Sequence, residues 1–169
     1  MNRRRVIVAA AALMVCACAP AAPTDSSTIY LVRHAEKQAG DDPALTQAGL
    51  QRAEALAERL AGAGLTHIHS SDTRRTRDTA APIAARTGLP VELYDPTDLP
   101  ALAATLLATP GNHLVVGHSN TTPPLADALG GNGGTPIVEA TEYDRLYVIE
   151  VTPSGATSRI ERFGAESAR

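Results

Sequence analysis

Histidines follow two apolar runs of this chain, each at the point where the run ends. Arg33 and His34 come directly after residues 28–32, and His118 comes directly after residues 113–117. Apolar runs of this length without alternation are typical of strands buried on both faces of a sheet. Because ligands of open α/β sheets bind outside the carboxyl ends of the strands, we expect both imidazoles at one edge of a sheet.

Arginines follow a third predicted strand, at residues 67–70. Arg74, Arg75 and Arg77 lie at the start of the helix that is predicted next. Successive residues of a helix are about 100° apart, so these three side chains cannot all point into one pocket. Two imidazoles and at least two guanidiniums at one mouth would suit a dianionic tetrahedral ligand, and phosphate is the obvious candidate.

The surrounding sequence alternates between strand and helix patterns. Strands are predicted at residues 28–32, 67–70, 91–94, 113–117, 145–151 and 157–163. Helices are predicted after the N-cap Thr46 up to Gly62, from about Thr73 to Gly88 with a break or kink near Pro82, at residues 99–108, and from Thr122 to Gly130. This alternation predicts an α/β fold, a three-layer α/β/α sandwich with a mostly parallel central sheet whose C-terminal strands are antiparallel at one side.

The first residues have the pattern of an export signal. Arginines 3–5 precede an apolar run, residues 6–15, and small residues follow it. The run is too short to span a bilayer, which requires about 20 residues. Residues 15–18 resemble the bacterial lipobox, which implies acylation of Cys18 and a lipid anchor in a membrane. A plain signal peptide with incidental cysteines is the alternative.

The segments of the chain follow from this pattern. We expect a signal peptide at residues 1–17, a flexible tether at 18–27, one domain at 28–163 and a C-terminal tail at 164–169. The protein would then be exported to the periplasm as a membrane-anchored lipoprotein.

Composition and charge exclude several classes of function. Aromatic residues make up 3% of the 169 residues, so stacking platforms for single-stranded nucleic acid are not expected. Without arginines 3–5, 12 Lys and Arg stand against 18 Asp and Glu, which argues against a nucleic-acid partner. Both cysteines, Cys16 and Cys18, lie in or next to the signal, so the predicted domain has no thiols for a disulfide or a zinc cluster.

Four sequence motifs resemble, in order, those of the histidine phosphatase superfamily, which has the phosphoglycerate-mutase-like fold. They are Arg33-His34-Ala35-Glu36, Leu45-Thr46-x-x-Gly49, Ser70-Ser71-x-x-x-Arg75-x-x-x-Thr79-Ala80 and Val115-Val116-Gly117-His118. Ala35 replaces the glycine that is usual in the first motif. The insertion that mutase-type members carry after the third strand is largely missing, so the chain is similar to the small, short-insertion branch of the family.

The resemblance implies a metal-independent phosphatase, without a cofactor, that hydrolyses phosphate esters or phosphoramidates through a phosphohistidine. His34 would be the nucleophile, Arg33 and Arg75 would hold the non-bridging oxygens, and His118 would donate a further hydrogen bond to them. These roles agree with the chemistry of phosphoryl transfer, in which positioned cationic donors stabilise charge on three equatorial oxygens. The substrate would be a phosphorylated small molecule, glycan or protein.

The acid that would protonate the leaving group is the main departure from the family pattern. Between the third strand and the third helix, Asp95 and Asp98 are the candidate proton donors. Both residues fit a turn and a helix cap equally well. Without such an acid, only substrates whose leaving group departs easily would be hydrolysed.

Four more residues near the two histidines are candidate substrate contacts: Glu36, Lys37, Ser119 and Asn120. Glu36 and Lys37 could instead pair with each other. Asn120 could instead cap the helix that follows it. These alternatives stay open at the level of sequence.

Other functions also stay open. A non-catalytic envelope lipoprotein could use the same cationic pocket to bind phosphate or another anion. A phosphoglycerate-mutase-like phosphotransferase would need a more enclosed site, which excludes water from the phosphoenzyme. His67 and His69 alternate on one strand face, as metal ligands sometimes do, although no third ligand is evident.

Overall fold

The computed structural model describes residues 26–167, which form a six-stranded sheet with helices packed on both faces. The strands are β1 (Ser27–Arg33), β2 (His67–Ser71), β3 (Val91–Tyr94), β4 (His113–Gly117), β5 (Arg145–Thr152) and β6 (Gly155–Arg162). The helices are α1 (Gln47–Arg59), α2 (Arg74–Thr87), α3 (Leu99–Ala108) and α4 (Thr122–Ala128). The sheet order is β3-β2-β4-β1-β5-β6, with β1 to β4 parallel and with β5 and β6 antiparallel to their neighbours. The predicted three-layer fold is confirmed.

Side-chain caps set the first residues of two helices. The hydroxyl of Thr46 accepts the backbone N–H of Gly49 at 3.1 Å and begins α1. The carboxylate of Asp98 accepts the backbone N–H of Ala101 at 3.0 Å and begins α3. Each cap satisfies one of the N–H groups that a helix leaves without an internal partner at its start.

The second helix differs from the sequence-based expectation at its proline. α2 runs unbroken through Pro82 and ends at Gly88, whose φ of 72° is left-handed and favours glycine. Of the break or kink expected near Pro82, the break is therefore wrong. Ala80 and Ile83, on either side of the proline, are buried in the core, and this packing holds the helix across the one N–H donor that proline lacks.

The two faces of the sheet each bury an apolar core. Leu31 belongs to the core that includes residues of α3 and α4, whereas Val32, the next residue of β1, belongs to the core that includes residues of α1 and α2. Both side chains are buried. β1 is thus the central strand that its uninterrupted apolar sequence predicts.

The register of the parallel strands determines where the polar segments meet. Arg33 pairs with Gly117, and the backbone N–H of His34 donates to the carbonyl oxygen of Gly117 at 2.9 Å. Ser70 of β2 pairs with Val116 of β4. The carboxyl ends of β1, β2 and β4 therefore lie side by side at one edge of the sheet.

Residues 164–167 pack against the domain. Nη1 of Arg52 donates to the carbonyl oxygens of Phe163 and Ala165, at 3.0 and 2.9 Å. The backbone N–H of Tyr143 donates to Oγ of Ser167 at 2.9 Å. These bonds attach the described part of the expected tail to α1 and to the segment before β5.

The sequence-based predictions for the N-terminal segment fall almost entirely before the first described residue. The predicted signal peptide at residues 1–17, Cys18 and nearly all of the predicted tether lie outside the described residues. β1 begins at Ser27, the last residue assigned to that tether. Within residues 26–167, none of the helices has both the length and the apolar character needed to span a membrane.

Candidate active site

His34 leaves β1 with its ring buried and in one defined tautomer. Its Nδ1 lies 2.8 Å from the carbonyl oxygen of Ala35. Burial, followed by the charges of Arg33, His118 and Arg75, lowers the pKa of the His34 imidazole to about 3. The ring is therefore neutral at pH 7, and because a carbonyl can only accept, its proton lies on Nδ1. The Nε2 lone pair, which makes no hydrogen bond within the described residues, is left available.

His118 stands beside His34 at the end of β4. The two ring centroids are 5.5 Å apart, in an edge-on arrangement. Burial and then the positive charges of Arg75 and Arg33 lower the pKa of His118 to about 4, so this ring is also neutral at pH 7. The two histidines that are 84 residues apart in the sequence are thus brought together, as the sheet-edge argument predicts.

The hydrogen bonds of His118 settle which nitrogen carries its proton. Nη2 of Arg75 lies 3.4 Å from Nδ1 of His118, and a guanidinium can only donate. Nδ1 therefore accepts, and the proton lies on Nε2, which is 2.8 Å from Oγ of Ser71. Ser71 and Arg75, from the end of β2 and the start of α2, together fix the orientation of the ring.

Of the three arginines at the start of α2, Arg75 faces the histidines. Arg74 and Arg77 are turned to solvent, where Nε of Arg74 lies 3.7 Å from Asp78 and Arg77 pairs with Asp72. Arg75 lies within 3.9 Å of Asp42 through Nη1 and is largely shielded from solvent. The helical spacing thus brings one guanidinium of the three to the site.

Arg33 is buried, and its two Nη atoms are occupied by the loop before β5. Nη2 donates to the carbonyl oxygen of Glu139 at 2.6 Å, and Nη1 donates to that of Glu142 at 3.0 Å. The guanidinium also lies over the ring of Tyr143, 4.1 Å from its centroid. Burial lowers the pKa of Arg33 from its usual value. The resemblance implies that the Nη atoms of Arg33 bind phosphate directly. Such binding would require these hydrogen bonds to break.

Two buried donors of the site have no partner in the described part of the chain. The Nε atoms of Arg33 and Arg75 are the buried side-chain nitrogens that make no hydrogen bond among residues 26–167. An unpaired buried N–H costs about 1–3 kcal/mol, and more on a charged group. An anion that accepts hydrogen bonds from these two N–H groups would therefore stabilise both guanidiniums.

The cavity at this edge of the sheet has a volume of about 420 Å³. Three of the four candidate substrate contacts line it, namely Lys37, Ser119 and Asn120. The complete lining is His34, Lys37, Arg75, Pro96, Thr97, His118, Ser119, Asn120, Thr121 and Glu139. Nearly all of these residues carry polar or charged groups, as a site for a phosphorylated ligand requires.

Glu36, the fourth candidate contact, is placed elsewhere. Its carboxylate accepts from Nε and Nη2 of Arg52, with the shortest distance 2.8 Å. The sequence also allowed an ion pair between Glu36 and Lys37, and the bonds of the Glu36 carboxylate do not include it. Glu36 does not line the cavity, because α1 supplies a guanidinium that holds it against the helix.

Neither candidate proton donor reaches His34. Asp95 accepts the backbone N–H and the hydroxyl of Thr97, at 2.8 and 2.7 Å, and Asp98 caps α3. Both carboxylates line a separate cavity, which also contains His69. Asp95 and Asp98 therefore have the turn and helix-cap roles, since local donors bond to their carboxylate oxygens.

Ala35 and Gly49 show how the family motifs fit locally. Ala35 is buried, its N–H donates to Oγ1 of Thr79 at 2.9 Å, and no residue other than glycine has a positive φ among residues 26–167. The replacement of glycine at position 35 therefore introduces no backbone strain. At Gly49, a Cβ atom would lie 2.2 Å from the carbonyl oxygen of Glu36, so this position requires glycine.

His67 and His69, the candidate metal ligands, lie at the opposite edge of the sheet from His34. Their rings stack with His113, and Nε2 of His69 lies 3.1 Å from Nδ1 of His113. Within residues 26–167, no group of three or more His, Cys, Asp or Glu is arranged to hold a metal ion. Instead, His69 and His113 bond to each other, Nε2 of His113 bonds to the carbonyl oxygen of Thr109, and Nδ1 of His67 bonds to Oγ1 of Thr66.

The sequence-based reasoning missed Tyr143 and Glu139. Both belong to the segment between α4 and β5, which has neither a periodic pattern nor a recognisable motif. The useful signal is topological: β5 pairs antiparallel with β1, so Leu146 lies opposite Val32 and the residues before β5 reach the edge where β1 ends. The sequence predicted antiparallel strands at one side of the sheet, but it did not predict that β5 would pair with β1.

Comparison with known proteins agrees with these motifs. Residues 29–96 match the sequence model of the "Histidine phosphatase superfamily (branch 1)". The "Probable phosphoglycerate mutase GpmB" of Yersinia pestis is 42% identical to this chain over 69 residues, a match that covers 36% of this chain and 32% of that protein. The chain thus matches about a third of the length of this relative.

Solved structures share the fold over most of the chain. The protein histidine phosphatase SixA in complex with tungstate has a TM-score of 0.61 at 20% identity, covering 82% of this chain and 96% of that chain. The alpha-ribazole phosphatase from Shigella flexneri has a TM-score of 0.61 at 16% identity, with coverages of 82% and 99%. For a mycobacterial glucosyl-3-phosphoglycerate phosphatase the TM-score is 0.57 at 17% identity, with coverages of 83% and 100%. At these identities the likeness shows a common fold.

Proposed function

We propose that this chain belongs to the histidine phosphatase superfamily and is a phosphatase that hydrolyses phosphate esters or phosphoramidates through a phosphohistidine at His34. The observation that carries the proposal is the free Nε2 of a neutral His34 in one cavity with Arg75 and His118. An uncharged imidazole with an available lone pair is a nucleophile, and adjacent cations are what a transferring phosphoryl group requires.

The first step is attack by Nε2 of His34 on phosphorus, in line with the leaving oxygen. The carbonyl of Ala35 holds the Nδ1 proton and so keeps the attacking lone pair on Nε2. The imidazole becomes cationic as the P–N bond forms, and the Nδ1–H bond to that carbonyl strengthens with the charge. The orientation of the nucleophile is thus set before the substrate arrives.

Charge on the equatorial oxygens is stabilised by the guanidiniums. Arg75 lines the cavity, and the unpaired Nε–H groups of Arg75 and Arg33 are buried donors that an anionic oxygen would satisfy. His118 can donate to the phosphoryl group only if its Nε2–H leaves Ser71 or if its Nδ1 gains a proton. A bound dianion raises the pKa of His118 and favours the second. Water then attacks the phosphohistidine, the P–N bond breaks, and the electron pair returns to Nε2.

The short connection between β3 and α3 supports hydrolysis over isomerisation. Four residues, 95–98, separate the two elements, so no long insertion covers the cavity from this side. A mutase must shield its phosphoenzyme from water during isomerisation, whereas a phosphatase must admit water. Stimulation of activity by bisphosphoglycerate would favour the mutase.

The test is a panel of phosphomonoesters assayed with the wild-type chain and with His34→Ala. We expect hydrolysis by the wild type and its loss in the variant. The non-catalytic alternative predicts that the wild type releases no phosphate, while His34→Ala binds phosphate as tightly as the wild type does. Activity that disappears with EDTA and returns with zinc would instead establish metal-dependent chemistry.

We further propose that the enzyme acts outside the cytoplasm, anchored through Cys18, on a phosphorylated small molecule, glycan or protein. The support is the N-terminal sequence pattern, arginines 3–5 followed by the apolar run 6–15 and the lipobox-like residues 15–18. Metabolic labelling with radioactive palmitate tests the anchor. Label that persists in Cys18→Ser would contradict it.

A further inference from the structure

The geometry points to Glu139 as the residue that protonates the leaving group, an inference that rests on the proposed phosphatase function. Glu139 is the one carboxylate among the described residues that line the cavity of His34. The candidates expected from the sequence, Asp95 and Asp98, line a different cavity. The acid is therefore supplied by the segment before β5 and not by the connection between β3 and α3.

The backbone of Glu139 is tied to the nucleophile through Arg33. Nη2 of Arg33 donates to the carbonyl oxygen of Glu139 at 2.6 Å, and Arg33 directly precedes His34 in the chain. Since Arg33 is buried with 2% of its surface exposed, this bond is screened from water. The position of the Glu139 backbone relative to β1 is thereby fixed.

The residues around Glu139 form a closed turn that adds to this restraint. The carbonyl oxygen of Val138 accepts the backbone N–H groups of Thr141 and Glu142, at 3.2 and 2.8 Å. The N–H of Val138 donates to the buried carboxylate of Glu142 at 3.0 Å. That carboxylate is held in turn by Arg145 and Arg162, at 2.7 and 2.8 Å. Glu139 therefore projects from a rigid turn.

The Glu139 side chain is free to act on a ligand. Its carboxylate makes no hydrogen bond or ion pair within residues 26–167, in contrast to those of Asp95 and Asp98. In its ionised form this carboxylate acts to raise the pKa of Arg33, and its protonated form is the one that can supply a proton to a leaving group. Lys37 lines the same cavity and adds a positive charge to it.

The proton transfer balances over the two steps. As Nε2 of His34 bonds to phosphorus, the P–O bond breaks with its electron pair on the leaving oxygen. That oxygen takes the proton from the carboxylic acid of Glu139, which becomes a carboxylate. The carboxylate then accepts a proton from the attacking water as the P–N bond breaks, so that the products are an alcohol and inorganic phosphate and Glu139 is again protonated.

The experiment compares leaving groups in Glu139→Gln, with Asp98→Asn as the matched control. Both substitutions replace a carboxylate by an amide, and asparagine caps a helix as well as aspartate does. We expect Glu139→Gln to lower kcat/KM, which reports the phosphorylation step, about 100-fold or more for alkyl phosphates, the range for loss of a general acid. For p-nitrophenyl phosphate, whose leaving group needs no proton, we expect kcat/KM to change by no more than about threefold. Asp98→Asn should match the wild type on both substrates.

Several results would overturn the assignment. Equal losses of kcat/KM by Glu139→Gln on alkyl and aryl phosphates would make its role structural, and no loss of kcat/KM on either would remove it from the protonation of the leaving group. A selective loss in Asp98→Asn would return the role to the β3–α3 connection. A wild type that hydrolyses aryl but not alkyl phosphates would show that no acid operates.

Failure of the phosphatase proposal has a separate signature. In that case the wild type releases no phosphate from any ester, or His34→Ala retains the wild-type rate on every ester. If instead His34→Ala is inactive while Glu139→Gln shows no dependence on the leaving group, the phosphatase proposal stands and the assignment of Glu139 fails.

Discussion

Two groups of histidines occupy opposite edges of the same sheet, and both are built from the ends of parallel strands. The active-site pair, His34 and His118, follows the carboxyl ends of β1 and β4. The histidine triplet, His67, His69 and His113, lies where β2 and β4 begin, with His67 opposite His113. Each group is packed closely, with ring centroids 5.5 Å apart in the pair and 4.6 to 6.1 Å apart in the triplet.

Burial lowers the pKa of histidines in both groups, so burial alone does not make a histidine catalytic. The pKa of His69 is lowered to about 4, as that of His118 is, and in both cases burial is the main cause. In the triplet, however, Nε2 of His69 bonds to Nδ1 of His113 at 3.1 Å, and Nε2 of His113 bonds to the carbonyl oxygen of Thr109 at 2.9 Å. The nearest charge is the carboxylate of Glu92, 3.7 Å from His69.

The active-site pair differs in its neighbours. Guanidiniums lie beside it, a cavity opens on it, and Nε2 of His34 accepts no hydrogen bond from any residue between 26 and 167. Neutral, buried imidazoles therefore make a reactive site only where one nitrogen is left free and the surrounding charge favours an anion.

The largest effect is expected from replacing one histidine in each group. His34→Asn removes the nucleophile and should lower kcat by at least about 10³-fold. His67→Asn, in the triplet, should leave kcat within about threefold, because this ring is remote from the cavity. Steady-state assays with p-nitrophenyl phosphate measure both. Comparable losses in the two variants would contradict the division between the groups.

A smaller loss is expected when the charge beside the active-site pair is removed. Arg75→Ala deletes the guanidinium that bonds His118 and lines the cavity, and kcat/KM should fall by roughly 10²–10³-fold. Arg77→Ala, two residues along α2, removes an exposed ion pair with Asp72 and should change kcat/KM by less than about twofold. If the two variants behaved alike, the cationic environment of the pair would be irrelevant to its activity.

Substitutions in the histidine triplet should change the stability of the fold and leave the activity unchanged. The pKa of folded His69, about 4, lies below its unfolded value of 6.5. The unfolded chain therefore binds more protons between these values, and the stabilisation is complete above pH 6.5 and is lost as the pH falls toward 4. Allowing for solvent screening, His69 contributes roughly 2 kcal/mol to this loss.

Urea unfolding at pH 7 and pH 4.5 measures this contribution. His69→Gln should lose less stability than the wild type between the two pH values, since a neutral amide has no proton to gain. His34 and His118, whose pKa values are also lowered, contribute to the loss in both proteins and so cancel in the comparison. Equal losses in wild type and variant would exclude a role for the triplet in acid sensitivity.

The smallest effect concerns the aromatic ring beside the active-site pair. Tyr143→Leu removes the ring under Arg33, an interaction of about 1 kcal/mol, and should raise KM or lower kcat by roughly fivefold. Tyr143→Phe keeps the ring and should stay close to the wild type. Because the hydroxyl is the only group that differs between tyrosine and phenylalanine, loss in both variants would point to the hydroxyl and not to the stacking.

Sequence patterns predict those parts of this molecule that depend on neighbouring residues. The bounds of β3, α3 and β4 agree with the expected residues 91–94, 99–108 and 113–117, because strand runs, caps and helix-ending glycines are local signals. The meeting of His34 with His118 also follows from sequence, since parallel buried strands end at one edge of a sheet.

The remaining features depend on contacts between distant segments. The partner of Glu36 is Arg52, which reaches it only because α1 packs back along the segment after β1. The Nη atoms of Arg33 bond to carbonyls of Glu139 and Glu142, more than 100 residues later, once β5 has paired with β1. A pattern read along the chain contains no information on such register, and the local reading of Asp95 and Asp98 left two roles equally acceptable.

The most direct test of the account is the isolation of the covalent intermediate. The wild-type chain would be mixed with a rapidly hydrolysed aryl phosphate, quenched in alkali, in which phosphohistidine is stable, and digested for mass spectrometry. The account predicts a phosphoryl group on the peptide that contains His34, absent from His34→Asn and unaffected by His67→Asn. A phosphoryl group on another residue, or turnover by the wild type without any phosphorylated peptide, would contradict it.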